Sequence, residues 1–357
     1  MTRPYPLDLS GRDAVVFGGG EPALRQIVLL RAAGARVHVV APSVTASVED
    51  LAARGLVRWS ARGFRSGDLD GVWLAAAATG VPEVDEAIGR ESEETRVLCV
   101  RAPVVEGPAA GGLGRVTLVG GGPGDAGLLT VAGREALESA DVIVTDRLAP
   151  LDALRWARPD AEVVDVAKIP WGRAASQADI NALLVERALA GAHVVRFKGG
   201  DNFVFGRGGE ELLACRAAGV PVTVVPGVSS AIAVPALAEI PVTLRGVSQG
   251  FTVVSGHVPP DHPDSSVDYR ALASSGTTLV FLMAVRTLPE IAGALVEAGM
   301  PPDTPAATIA DGASSGRRVV RSTLSKIADL VRAEGVAAPA VTVIGSVVSI
   351  NDQPYAN

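Results

Sequence analysis

Through the first hundred residues, short apolar runs alternate with amphipathic stretches, the pattern that builds parallel sheets. Strands are predicted at Asp13–Phe17, Arg36–Val40, Val72–Ala77 and Arg96–Val100. Helices are predicted at Pro22–Ala33, with proline in its first turn and Gly34 past its end, and at Pro82–Gly89. Val104–Leu113, rich in Gly, Ala and Pro and almost uncharged, reads as a linker. The alternation then restarts, with strands at Arg115–Val119, Val142–Thr145, Ala161–Val166, His193–Lys198 and Val222–Val225. Helices are expected from about Ala126 to Ser139 and at Gln177–Leu189 and Gly209–Ala218. A third stretch carries strands at Phe251–Ser255, Thr278–Met283, Ala306–Ile309 and Ala340–Ile344, with helices at Leu288–Ala298 and Leu324–Ala333. Residues 261–276, rich in Ser, Asp and Pro, read as a surface loop. No solenoid period is present; a strand–glycine loop–helix unit occurs twice, about a hundred residues apart.

Length fits this division, since 357 residues suit two or three domains. The chain is 48% hydrophobic and 20% charged but only 4% aromatic, so Ala, Val, Leu and Gly must fill its cores, and disorder is excluded. Lys and Arg number 32 against 39 Asp and Glu, a net charge of −7 that repels nucleic acid and requires a local basic cluster for any anionic substrate. Cys99 and Cys215, both in apolar contexts, are expected buried in a reducing compartment. The four histidines show no ligand spacing, so no metal is expected. The N-terminus lacks the apolar core of a signal peptide, and the longest uncharged stretch, between Arg216 and Glu239, is broken by Pro221, Pro226 and Pro235 into strand, turn and short helix. No membrane span and a cytoplasmic location are expected.

Two glycine loops carry candidate chemistry. Gly18-Gly19-Gly20-Glu21-Pro22-Ala23 fits G-x-G-x-x-A between a strand and a helix, the context of a dinucleotide site, with Gly18, Gly20, Glu21 and Pro22 as candidate NAD contacts. The acid expected after the second strand is missing, since the chain there reads Val39-Val40-Ala41-Pro42, so a structural tight turn explains the loop equally well. In the second loop, Gly120 to Asp125, Asp125 is placed to cap the following helix. More informative is the strand-to-helix connection from Arg196 to Glu211, whose glycines interleave with aromatics and charges in a way that points to ligand binding.

With these segments in view, the chain resembles a known family. VGGGPGD (119–125), TDRL (145–148), the Lys168, Gln177, Ile180-Asn181 spacing, KGGDNFVFGRGGEE (198–211), VPGVSSA (225–231), SGH (255–257), FLMAV (281–285), DG (311–312) and PAVTVIG (339–345) are similar to the uroporphyrinogen-III C-methyltransferases, tetrapyrrole methylases that use S-adenosylmethionine. Residues 11–103 resemble the NAD-dependent precorrin-2 dehydrogenase domain of fused sirohaem synthases, through GGGEPALR, AGARVHVVAP and DLDGVWLAAAAT. The resemblance implies an α/β chain: a Rossmann-like parallel-sheet domain over residues 1–103, a linker at 104–113, and a two-subdomain tetrapyrrole methylase fold over 114–351, dividing near 226/227. It implies a homodimer that methylates uroporphyrinogen III twice to precorrin-2, toward sirohaem or cobalamin.

Residue by residue, the resemblance makes Asp146 the proton acceptor and Lys168 an active-site lysine, and matches Pro123, Gly199, Gly200, Asp201, Val204, Ser229, Ser230, Met283 and Gly312 to positions that contact S-adenosylmethionine. Arg147, Arg173, Arg207 and Arg245 are candidates for the substrate's carboxylates. Departures accompany the match. Asn202 stands where the family has proline, Ser229 for threonine, Leu282 for tyrosine, and Leu244 and Arg173 for histidines. In the first domain the catalytic Asp of the closing motif is replaced in Arg101-Ala102-Pro103, and Thr-Asp-Asp becomes Thr79-Gly80-Val81. That domain is therefore expected to be a binding or interaction module without dehydrogenase or chelatase activity. The alternative is a bifunctional sirohaem synthase that uses NAD.

Overall fold

The computed structural model describes residues 8–101, 112–166 and 176–352. Lys168, Arg173 and most of the predicted linker lie outside the described residues. Three five-stranded sheets organise the chain, and close contacts gather them into two compact units. One unit comprises the chain up to Gly122 together with Ala126–Gly227, and the other Pro123–Asp125 with the chain from Val228 onward.

The first unit holds two parallel sheets. Sheet A has the order β3-β2-β1-β4-β5, from β1 (Asp13–Phe17), β2 (Arg36–Val40), β3 (Arg58–Ser60), β4 (Leu74–Ala77) and β5 (Leu98–Arg101). Its helices are α1 (Glu21–Ala32), α2 (Ala46–Ala53) and α3 (Pro82–Thr95). Proline in the first turn of α1 and α3 costs no backbone bond there, and Gly34, at φ 83°, lets the chain leave α1 toward β2. Sheet B has the order β10-β6-β9-β7-β8, from β6 (Arg115–Gly120), β7 (Val142–Thr145), β8 (Glu162–Asp165), β9 (His193–Lys198) and β10 (Val222–Val225). Around it lie α4 (Val131–Glu138), α5 (Gln177–Leu189) and α6 (Gly208–Ala217).

The two sheets of this unit share a core. Leu24, Ile27 and Val28 of α1 belong to one buried cluster with Leu151, Ala153 and Leu154 of a 3₁₀ turn after β7 and with Val163 of β8. Arg25 donates to the carbonyls of Ala157 (3.1 Å) and Ala161 (3.3 Å), and Arg31 pairs with Asp152 at 2.8 Å. The first domain is thus docked by an apolar face with polar fastenings at its rim.

In the second unit, α7 (Ser230–Leu237), α8 (Tyr269–Ser274), α9 (Leu288–Glu297) and α10 (Leu324–Ala333) accompany sheet C, whose order is β11-β12-β15-β13-β14. Its strands are β11 (Phe251–Ser255), β12 (Thr278–Leu282), β13 (Pro305–Ala310), β14 (Arg318–Thr323) and β15 (Ala340–Ile344). β11 and β12 are parallel, but β15 runs antiparallel to both β12 and β13, so this sheet is mixed.

Several local expectations are corrected. The helix foreseen from Ala126 to Ser139 is a 3₁₀ turn followed by α4, which is capped by Thr130 accepting from the Gly133 amide (3.1 Å) rather than by Asp125. Residues 261–276 are not all loop: Asp268 caps the one-and-a-half turns of α8, and Tyr269 is buried against the core of sheet C. Cys215 is buried but Cys99, on edge strand β5, is only half-buried. The three-residue β3, the eight-residue α2 and the largely polar β14 (RVVRST) carry too few apolar positions in register to stand out in the sequence. Among the described residues no helix is long and apolar enough to cross a membrane.

Candidate active site

All strands of sheet B run parallel, so their C-terminal ends share one edge, where open α/β sheets bind ligands. Asp146 follows directly from β7. Its Oδ1 accepts from the Leu148 amide (3.1 Å) and its Oδ2 from the Arg196 guanidinium (2.9 Å), which fixes the carboxylate while leaving it partly open. Behind it stands a buried chain of charge. Arg196 Nε donates to Glu211 Oε1 (3.0 Å), and Lys198 Nζ donates to Glu211 Oε2 (2.8 Å) and to the Gly206 carbonyl. Gln177 reaches the same Glu211 at 3.4 Å. Burial pushes the Lys198 ammonium below its ordinary pKa, against the pull of Glu211. Two cations thus alternate with two carboxylates, with Arg196, Lys198 and Glu211 each 5% exposed or less. Breaking one member would leave a buried charge uncompensated.

Sequence reasoning left Arg196, Lys198 and Glu211 without roles. The available signal was β9 itself, where two bases at i and i+2 share one face of an otherwise apolar strand. Bases buried in a strand require carboxylate partners.

Beside Asp146 the backbone converges. A Cβ on Gly227 would lie 2.2 Å from the Gly200 carbonyl oxygen, one on Gly120 2.5 Å from the Gly227 nitrogen, and one on Gly199 2.3 Å from the Leu148 oxygen. Gly122 and Gly200 exchange backbone hydrogen bonds of 3.1 and 2.7 Å. Gly200 differs: at φ 69° it faces open space, with nothing within 4 Å of a Cβ position. This is a backbone cradle into which a flat or flexible ligand can approach. Asp201 shapes its rim, Oδ1 accepting from the amides of Phe203 (2.9 Å) and Val204 (3.3 Å) and Oδ2 from Gly227 (3.1 Å). Val204 is exposed. Asn202, fully buried, donates to the carbonyls of Leu118 and Val225, a tie between β6 and β10 that proline could not make.

In the second unit, Ser229 caps α7 by accepting from the Ala231 amide (3.3 Å), and Ser230 opens the helix. Met283 leaves β12 at φ 58° and is half exposed. Gly312 follows β13, and its Cβ would lie 2.4 Å from Val234 of α7, so only glycine lets that helix approach. β11, β12 and β13 point the same way, so Ser255, Met283 and Gly312 gather at one edge of sheet C. Pro123 belongs to this unit and is half-buried.

The candidate carboxylate-binding arginines are less uniform than the sequence suggests. Arg207 is held by Glu210 in a two-point pair (2.8 Å each), Arg245 is exposed, and Arg147 lies 3.8 Å from Asp50 of α2.

The first glycine loop is built differently. A Cβ on Gly18 would sit 2.1 Å from the Ala78 oxygen and one on Gly19 2.0 Å from the Ser43 oxygen, so these glycines serve the domain's own backbone. Gly20 caps α1 with no side-chain bond, and Pro22 fills its first turn. Glu21 Oε1 accepts from the Asp165 amide (3.3 Å), and Asp165 Oδ2 accepts from Ser47 at the start of α2 (3.1 Å). Burial first, then the nearby Glu162 and Asp165, pushes Glu21 up to about 7. Asp165 thus sets a carboxylate at the N-terminus of α2, while Glu21, in the first turn of α1, is engaged with the Asp165 amide.

Comparisons with known proteins find matches in both parts of the chain. Residues 115–328 match the family model for Tetrapyrrole (Corrin/Porphyrin) Methylases, more than half of the chain. The chain belongs to the tetrapyrrole methylase family. Residues 6–106 match an NAD(P)-binding family model. An S-adenosyl-L-methionine-dependent uroporphyrinogen III methyltransferase of Methanosarcina barkeri is 45% identical over 68% of this chain and 95% of its own length. A siroheme synthase of Xylella fastidiosa is 32% identical over 97% of this chain and 94% of its own. That alignment runs to 450 positions, more than the 357 residues here, so it includes positions with no counterpart in this tetrapyrrole methylase. Among solved structures, the uroporphyrin-III C-methyltransferase of Thermus thermophilus in complex with S-adenosylhomocysteine is 38% identical over 66% of this chain and 94% of its own, with a TM-score of 0.56.

Proposed function

We propose that this tetrapyrrole methylase transfers methyl groups from S-adenosylmethionine to two ring carbons of uroporphyrinogen III, giving precorrin-2. The observation that carries this reading is Asp146, a fixed and partly open carboxylate at the same C-terminal edge of sheet B as the Gly199-Gly200 turn. The names of the relatives supply the substrate class. The cofactor supplies an electrophilic methyl group, and the chain supplies position, which accounts for much of the acceleration in such transfers.

Gly199, Gly200, Asp201 and Val204 on sheet B are the residues of the first unit that would hold the cofactor, and the resemblance assigns the same role to Pro123, Ser229, Ser230, Met283 and Gly312 of the second. The backbone at Gly200 admits close approach where a side chain would intrude. Asp146 receives the proton that the alkylated pyrrole must lose, a role for a carboxylate fixed by two donors. Arg147, Arg245, Lys168 and Arg173 meet substrate carboxylates, and Arg207 joins them only by leaving Glu210. Residues 1–103 form a binding and docking domain without dehydrogenase activity, followed by a linker at 104–113 and the methylase part at 114–351. Homodimerisation and a cytoplasmic location belong to this reading, and the product suits sirohaem or cobalamin synthesis.

The test is anaerobic incubation of the purified protein with uroporphyrinogen III and S-adenosylmethionine, with and without NAD, followed by absorption. Precorrin-2 in both reactions is expected. Absence of methylation would overturn the reading, and NAD-dependent sirohydrochlorin would replace it with the bifunctional one.

A further inference from the structure

In most of its length α2 serves the first domain, burying Ser47, Val48 and Leu51. Its other face has a different neighbour. Ala46, Glu49, Asp50 and Ala53, spaced i, i+3, i+4, i+7 and so aligned as one stripe, line a cavity of about 530 Å³ with Asp146, Arg147 and Leu148. The group assigned here to proton transfer therefore opens into a space whose opposite wall comes from the nucleotide-type domain. That wall is firmly held, through the shared core around α1 and the Asp165 bond to the first turn of α2.

The stripe is shaped for the purpose. Alanine at both ends leaves volume, and Asp50 at its centre lies across from Arg147. Asp50, half-buried, lies 3.5 Å from Arg54 one turn on and 3.8 Å from Arg147. An ion pair this loose contributes little to stability, about 0–1 kcal/mol. It does set where the Arg147 guanidinium rests and how much of its charge an incoming anion meets.

We infer that the first domain is a wall of the methyltransferase's substrate cavity, and that Asp50 is a positioning residue that holds Arg147 until a tetrapyrrole carboxylate takes its place. This rests on the reading of Asp146 given above. It assigns to a nucleotide-type domain a role in the substrate choice of its neighbour: bulk and charge along α2 decide which anionic side chain can lie beside Asp146.

Two variants test it, with uroporphyrinogen III for kinetics and uroporphyrin III for direct binding by fluorescence. Ala53→Trp fills the cavity from the α2 side; the tetrapyrrole KM and Kd should rise at least tenfold, with S-adenosylhomocysteine affinity and Tm unchanged. Asp50→Asn keeps the shape but unmasks Arg147; KM should fall about threefold with kcat unchanged, and the gain should disappear in an Arg147→Ala background. Unaltered tetrapyrrole affinity in Asp50→Asn, or the same gain with and without Arg147, would overturn the inference, and Asp50→Asn still decides if Ala53→Trp does not fold. Because binding is read apart from turnover, a wild-type protein that binds uroporphyrin but does not methylate would sink the assigned reaction and leave the wall to be judged by the variants.

Discussion

Sheets A and B present the same grammar at their C-terminal edges, a parallel strand, a run of glycines and a helix, yet they handle charge in opposite ways. At sheet A, Gly18 and Gly19 press on neighbouring backbone, Asp165 sets a carboxylate at the N-terminus of α2, and Glu21, in the first turn of α1, is engaged with the Asp165 amide. At sheet B, Gly120, Gly199 and Gly227 also press on backbone but Gly200 opens on free space, and the carboxylate of Asp146 is balanced by Arg196 and backed by Glu211 and Lys198. A glycine loop thus announces close approach by something. Whether that something is a ligand or the protein itself is decided by residues far away in sequence.

The sharpest way to break this contrast is at Asp146. Asp146→Asn keeps the shape and the Leu148 contact but removes the proton acceptor, so kcat should fall about 10²–10⁴-fold, with S-adenosylhomocysteine affinity within twofold of wild type by calorimetry. Near-normal turnover would return Asp146 to a strand-end ion pair with Arg196.

The glycines separate the edges next. Gly18→Ala places a Cβ against the Ala78 carbonyl at φ 120° and should lower stability by roughly 3 kcal/mol or more, read by chemical denaturation. Gly200→Ala meets only the strain of a left-handed backbone, about 1–2 kcal/mol, and its main effect should be weaker cofactor binding. Equal stability losses would show that the two loops are not different in kind.

All the strands but β3 and β14, and the two glycine loops, were legible because apolar runs punctuated by glycine and proline are local signals. Boundaries failed where local chemistry was ambiguous: α4 begins at its own cap, Thr130, beyond the turn that follows Asp125, and the polar composition of 261–276 hid the short helix anchored by Tyr269. Of the site, the Gly199-Gly200-Asp201 run was legible as part of a glycine-rich ligand connection, whereas Asp146 was reached through resemblance. The Arg196–Glu211–Lys198 chain was readable only as two bases in a buried strand. The contacts of Asp165 with Ser47 and of Arg147 with Asp50 join residues about a hundred positions apart, and no periodicity encodes such pairs.

Glu21 gives a smaller effect with a definite sign. Its folded pKa, up to about 7, exceeds the ordinary 4.5, so the folded protein keeps a proton that the unfolded chain has already released. The stability from this site is complete below about pH 4.5 and is lost as pH rises through about 7, on the order of 2–3 kcal/mol in all. Glu21→Gln should therefore raise Tm by about 5 °C at pH 8 and leave it unchanged at acid pH. A Tm gain that is the same at both pH values would mean that Glu21 is not the titrating group.

The smallest effect expected is none at all, and it falls on NAD. A dinucleotide at sheet A needs helix N-termini free to meet its phosphates and an acid for its ribose. Here Asp165 already accepts the amide of Ser47, Glu21 lies in the first turn of α1, and Ala41-Pro42 follows β2 where the acid would stand. The end of β5 adds to this, for Arg101 closes the strand with a cation whose guanidinium lies against Gly89 of α3, where a Cβ would come within 2.6 Å of it. Millimolar NAD should therefore leave Tm unchanged, and methylation should stop at precorrin-2 whether or not NAD is present. If NAD raised Tm and sirohydrochlorin accumulated at a rate comparable to methylation, the contrast between the two edges would collapse. Sheet A would then have to release Glu21 and Asp165 to admit the nucleotide, and Glu21→Gln should tighten its binding.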